Sequence, residues 1–158
     1  MLARLDKQQL ILYAVRGEKA SFAVYTRAAA VARRPEVAKI LNQLARDELG
    51  HLFSLLRRFA KASPEILDAV DMTMPAPDEG VVERLSRAES VEQVLRAAVR
   101  EEHESLAAYA QLRDAVDEEA RGIWQAIMRR ERRHVGILES SLRRVTARTL
   151  PAEVSRAH

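Results

Sequence analysis

One pattern occurs twice in this chain. Glu18, six residues and Tyr25 are followed by Glu48-x-x-His51, and Glu102, six residues and Tyr109 are followed by Glu131-x-x-His134. The glutamate-to-glutamate spacing is 30 in the first copy (48 − 18) and 29 in the second (131 − 102). A repeat of this kind implies two similar units related by an approximate two-fold axis. Each Glu-x-x-His lies within a helical apolar pattern. Leu41, Leu44, Ala45, Leu52 and Leu55 recur at three- and four-residue intervals, and Glu48 and His51 fall on the same face. Whatever the chain folds into must accept carboxylates and imidazoles inside its own core.

The remaining sequence points to an all-α domain. Ala, Leu, Arg and Glu are abundant and favour helix. Five glycines and five prolines leave too few turns for a β-sandwich or barrel. The spacing predicts a first helix from about Lys7 to Val31, with Ile11, Val15, Phe22, Tyr25 and Ala29 inward. Pro35 suits the first turn of a second helix that runs to about Lys61, where Ser63-Pro64 ends it. Ser90 to Gln93 reads as a capping box that opens a third helix ending near Val116. Asp117 is a good N-cap for a fourth, reaching about Thr146. Residues 1–148 form the domain, and 149–158 form a polar tail.

Two connections are short and one, Pro64 to Glu89, is long, with room for short helical pieces. Two short links make two antiparallel hairpins, and the long link crosses the bundle between helices 2 and 3. That is the ferritin-like four-helix arrangement.

Several classes of function drop out. Without cysteine there is no disulfide framework and no thiolate metal site. No run of 18 apolar residues suits a membrane span, and the first residues carry no signal-peptide pattern, so a cytoplasmic protein is expected. The formal charge of +3 is carried by arginines interleaved with glutamates. The dense cluster RRERRH, 129–134, is read as a solvated helix face, and no nucleic-acid motif accompanies it.

The chemistry explains the spacing. Residues three apart on a helix share a face, about 4.5 Å apart along its axis. Two hairpins then bring Glu18, Glu48, His51, Glu102, Glu131 and His134 around one point. Four carboxylates and two imidazoles are the ligand inventory for two metal ions in a bundle core. Two divalent cations also neutralise four carboxylates that would otherwise repel one another or take up protons. A lone Glu-x-x-His match is weak, since about 0.4 arise by chance in a chain of this composition. Two matches, each in an apolar stripe and each preceded by Glu-x6-Tyr, are strong.

The stretches EKASFAVY, DELGH, EHESLAAY and ERRH resemble the ferritin-like superfamily, most closely its rubrerythrin-like branch. The resemblance runs from the first helix to the fourth. It implies a non-haem di-iron centre held by those six residues, with Glu48 and Glu131 as candidate bridges. Iron suits the mixed oxygen and nitrogen ligation; manganese or a mixed pair suits it as well. Full rubrerythrins carry a four-cysteine rubredoxin domain, which this chain lacks, so an external electron donor is expected. Rubrerythrins also place an extra carboxylate on the third helix, a role open to Glu101 or Glu104. The stripe through Leu95, Ala98, Glu102, Leu106 and Tyr109 favours Glu102 as the ligand. Bacterioferritins bind haem through a Met after the second-helix Glu; Leu49 stands there, so no haem is expected.

Three functions fit this reading. The first is a di-iron oxidoreductase that reacts with hydrogen peroxide or dioxygen, with a part in oxidative-stress defence. The second is a ferroxidase or iron-storage subunit. The third is a helical interaction module with a structural metal. A homo-oligomer, with a dimer favoured, is expected. Tyr25 and Tyr109 lie two turns past a ligand Glu, where a hydroxyl reaches a carboxylate. Asp47, four residues before His51, could orient its ring but is more simply an ordinary helix residue; Trp124 is read as core, and His103 as exposed.

Overall fold

The structure, a computed structural model, describes residues 4–60 and 65–149. Among the described residues six α-helices follow one another: α1 (Lys7–Val31), α2 (Pro35–Ala60), α3 (Glu65–Ala69), α4 (Glu79–Ser86), α5 (Val91–Gln111) and α6 (Arg121–Thr149). The four long ones make a ferritin-like bundle. The expected Ser63-Pro64 stop and the tail from Leu150 onward lie outside the described residues.

Local chemistry sets most boundaries. Asp6 and Gln9 form a reciprocal capping box at the start of α1, at 2.8 and 3.1 Å. The expected box at α5 is only half formed. Ser90 Oγ accepts from the Gln93 N–H at 3.2 Å, but the Gln93 side chain reaches one residue further back, to the Glu89 N–H.

The turn between α5 and α6 departs from expectation. α5 ends at Gln111, five residues before Val116, and a 3₁₀ turn covers Leu112–Asp114. Leu5 is the cause. Its N–H donates to the Ala115 carbonyl at 2.7 Å, and its carbonyl accepts from the Asp117 N–H at 3.0 Å. Those bonds need extended backbone, which ends the helix. Asp117 caps a single turn, accepting from the Ala120 N–H at 2.6 Å, and α6 begins only at Arg121. α6 then runs to Thr149, past the expected end at Thr146 and one residue beyond the expected domain limit at 148.

Two apolar clusters fill the interior. One end holds Ala28, Val37, Leu41, Leu85, Val94 and Ala98. The other holds Leu10, Ala14, Leu52, Phe59, Ile127 and Met128. The order in which each helix visits these clusters gives its direction. α1 and α6 run from the second cluster to the first, while α2 and α5 run from the first to the second. Parallel α2 and α5 require the link between them to cross the bundle. Its pieces do so: Ile66 of α3 packs at the second cluster, and Val82 and Leu85 of α4 pack at the first.

The crossover is therefore part of the core. Leu85 has no exposed surface. Leu85→Ala should cost about 2–5 kcal/mol in urea unfolding, as for a buried leucine. A change below about 0.5 kcal/mol would show that α4 is peripheral.

Candidate metal centre

Between the two clusters, each long helix puts a charged group where its apolar stripe should continue. Glu18 follows Ala14 and Val15 on α1; Glu48 lies between Ala45 and Leu52 on α2; Glu102 lies between Ala98 and Tyr109 on α5; Glu131 and His134 lie between Met128 and Leu138 on α6. All five are at least 93% buried, whereas the His51 side chain is 27% exposed. The six residues predicted to act together thus lie in one layer.

Their distances define two groups. Ligand atoms of Glu48, His51 and His134 lie within 4.8 Å of one another, and so do those of Glu102, Glu131 and His134. The rings of His51 and His134 stand edge to face with centroids 4.5 Å apart. Glu48 Oε2 is 3.6 Å from His51 Nδ1, and Glu48 Oε1 is 3.6 Å from His134 Nε2. His134 Nδ1 is 3.4 Å from Glu102 Oε2. These are charge contacts rather than hydrogen bonds: Glu48 Oε1 and both His134 nitrogens have no hydrogen-bond partner. Buried polar atoms without partners are rare and call for an explanation. A cation bound among them supplies one, and the oxygen and nitrogen donors suit iron or manganese.

Glu18 stands apart from both groups. Its Oε2 is 3.8 Å from His51 Nδ1, but its Oε1 is in close contact with the Arg130 guanidinium. Arg130 also reaches Glu131 at 3.0 Å and donates to the His51 carbonyl at 3.2 Å. This corrects the reading of the arginine cluster as a solvated face at one position: the Arg130 side chain is only 21% exposed, while Arg129, Arg132 and Arg133 are exposed. The signal was available: Arg130 is three residues after Ile127 and four before His134, on the edge of the buried stripe. Lys19 was also missed. It is buried, and its ammonium donates to the Asp71 carbonyl of the crossover.

The tyrosines differ from each other. Tyr25 Oη donates to Glu102 Oε1 at 2.6 Å, so it supports the glutamate of the other hairpin. Tyr109 Oη lies against Gly17, where a Cβ would come within 2.9 Å of it, and makes no hydrogen bond to a carboxylate among the described residues. Burial, then the charge of Glu102, raises Tyr25 well above the ordinary phenol pKa; burial, then the charge of Glu131, does the same for Tyr109. Both hydroxyls stay protonated at neutral pH.

Neighbouring candidates fall outside the layer. Glu101 turns to Arg84 at 2.9 Å, and Glu104 is exposed. Asp47 accepts from Gln43 at 2.8 Å rather than orienting His51. His103 is exposed and paired with Glu139 at 2.8 Å. Trp124 is half-buried, and its Nε1 donates to the Tyr109 carbonyl at 2.9 Å.

Electrostatics give the metal-free layer a pH signature. Burial raises the Glu48 and Glu131 pKa values, outweighing the nearby histidines and Arg130. Burial opposes a charged His134, but Glu102, Glu48 and Glu131 outweigh it and raise its pKa. All three groups hold protons more tightly folded than unfolded. Their contribution is fully present below the unfolded pKa and is lost as pH rises through the folded value. Metal-free protein should therefore lose stability from this layer as pH rises through the range above the ordinary glutamate value of about 4.3 and, for His134, above about 6.5. Glu48→Gln, which cannot ionise, should be more stable than the parent when metal-free, by a margin that grows with pH. Melting curves across that range check this; a constant or shrinking margin would contradict it.

The arrangement agrees with the comparison to known families. The family model described as Rubrerythrin matches residues 9–142. No match was found among curated proteins or among solved structures. No helix among the described residues is long and apolar enough to cross a membrane. The matched span holds every residue of the charged layer, and the chain belongs to the rubrerythrin family, as a ferritin-like domain of the di-iron type.

Proposed function

We propose that the protein is a non-haem di-iron oxidoreductase whose centre is oxidised by hydrogen peroxide or dioxygen. The observation that carries this is the pairing of unpartnered buried donor atoms with a half-open histidine. Glu48 Oε1 and the His134 nitrogens lack partners inside, while His51 is 27% exposed and gives a small oxidant access. A purely structural metal needs no such opening.

Each residue has a part. Glu18, Glu48, Glu102, Glu131, His51 and His134 would hold the metals. Tyr25, through its bond to Glu102, fixes that carboxylate. When bound, two ferrous ions supply the two electrons that, with two protons, reduce one hydrogen peroxide to two waters. In this reading an external donor restores the reduced centre. Manganese can fill the same ligands. A homo-oligomer, with a dimer favoured, and a cytoplasmic setting belong to the same proposal.

Two outcomes test this. Protein reduced and loaded anaerobically with ferrous iron should change its visible spectrum on one equivalent of peroxide per chain. Tyr25→Phe should keep the metal and alter that rate. A loaded sample inert to both peroxide and dioxygen would leave a structural metal as the better account. Separately, Glu48→Ala and Glu131→Ala should each lose most of the metal, because they are two-fold equivalents. Loss in only one of them would contradict the duplicated site.

A further inference from the structure

The groove between α2 and α6 has a character of its own. His51 and Arg58 line it from α2, and Arg129, Arg130, Arg133 and His134 line it from α6. The pocket they form has a volume of about 350 Å³, and no carboxylate lines it. Several other surface arginines are paired: Arg84 with Glu101, Arg87 with Glu83, Arg96 with Glu92, Arg113 with Asp114. Among the described residues, Arg58, Arg129 and Arg133 have no carboxylate within ion-pair distance.

The inner wall is shared with the charged layer. The His134 side chain is 7% exposed and lines the pocket. Beside it, Arg130 holds Glu18 and Glu131, two carboxylates of the charged layer. The ligand layer does not itself require these arginines. The equivalent helix α2 carries Asp47 and Gly50 where α6 carries Arg130 and Arg133, and still places its Glu and His.

We propose that this pocket binds a small oxyanion of phosphate chemistry, and that the bound anion draws Arg130 away from Glu18 and Glu131, so that anion and metal bind cooperatively. A planar guanidinium donates two parallel hydrogen bonds to such an oxyanion. Several guanidiniums over a low-dielectric floor concentrate anions and repel free cations. Arg130 competes with metal for the same two carboxylates, so an anion that offers it another partner favours metal. Linkage makes the effect reciprocal: metal strengthens anion binding by the same factor. The confined volume, about 350 Å³, favours a small anion over the acidic face of a protein. The coupling half of the proposal rests on the two-metal reading; the anion site does not.

Calorimetric titration of the metal-free chain with inorganic phosphate, at ionic strength held constant with chloride, tests the site. Saturable binding is expected, weakened about tenfold in an Arg129→Gln, Arg133→Gln double variant whose melting curve shows it folded. No binding above chloride, or equal binding by that variant, would overturn the site. Glycerol 3-phosphate in parallel distinguishes the source: tighter binding than phosphate identifies a phosphomonoester, weaker binding the free anion. Repeating the titration on manganese-loaded protein tests the coupling, with tighter phosphate binding expected. Equal affinity with and without bound manganese would overturn it. Protein that takes up no manganese would sink the two-metal reading while leaving the metal-free phosphate result to decide the anion site.

Discussion

The structure depends on four carboxylates buried in one layer of an apolar bundle. Glu18, Glu48, Glu102 and Glu131 sit between two hydrophobic clusters, each where a leucine would pack at no electrostatic cost. Isolated ionised carboxylates are strongly disfavoured there, so such groups are paired, protonated or metal-bound. The metal-free layer uses the first two remedies. Arg130 pairs with Glu18 and Glu131, and Glu48 and Glu131 have raised pKa values. Both remedies leave Glu48 Oε1 and the His134 nitrogens without a hydrogen-bond partner. Two divalent cations would satisfy the whole layer at once.

The two-fold axis that relates the hairpins passes through this layer and exchanges the two apolar clusters. The chain obeys it in its ligands and departs from it around them. Tyr25 reaches Glu102 across the axis, while its counterpart Tyr109 rests on Gly17. Lys19 is buried on the crossover, while its counterpart His103 is exposed and paired with Glu139. Asp47 faces Gln43, while its counterpart Arg130 enters the site. The crossover contributes to the asymmetry, because it covers one hairpin's helix with no equivalent on the other. The result is a nearly symmetric ligand set with one strongly cationic side.

What the sequence reveals follows from the range of the forces involved. Helices α1 and α2, the crossing topology and the position of the charged layer are written in local periodicity and in the repeat, so they can be read from residues such as Leu41, Glu48 and Leu52 alone. The end of α5 cannot be read that way, because Leu5, more than a hundred residues earlier, takes the backbone bonds of Ala115 and Asp117. The same holds for Lys19, whose partner is a carbonyl 52 residues away. Arg130 is an intermediate case: its place on the stripe is visible, but its choice of Glu18 on another helix is tertiary.

The central claim is that this layer is built to hold two cations. The most direct measurement is the number of metal ions bound per chain in an anaerobic titration with ferrous iron, followed by calorimetry and by elemental analysis after gel filtration. The account predicts saturation at two per chain and a rise in stability of about 2.7 kcal/mol at a free metal concentration one hundred times the dissociation constant. Saturation at one ion or none, with an unchanged melting curve, would contradict it.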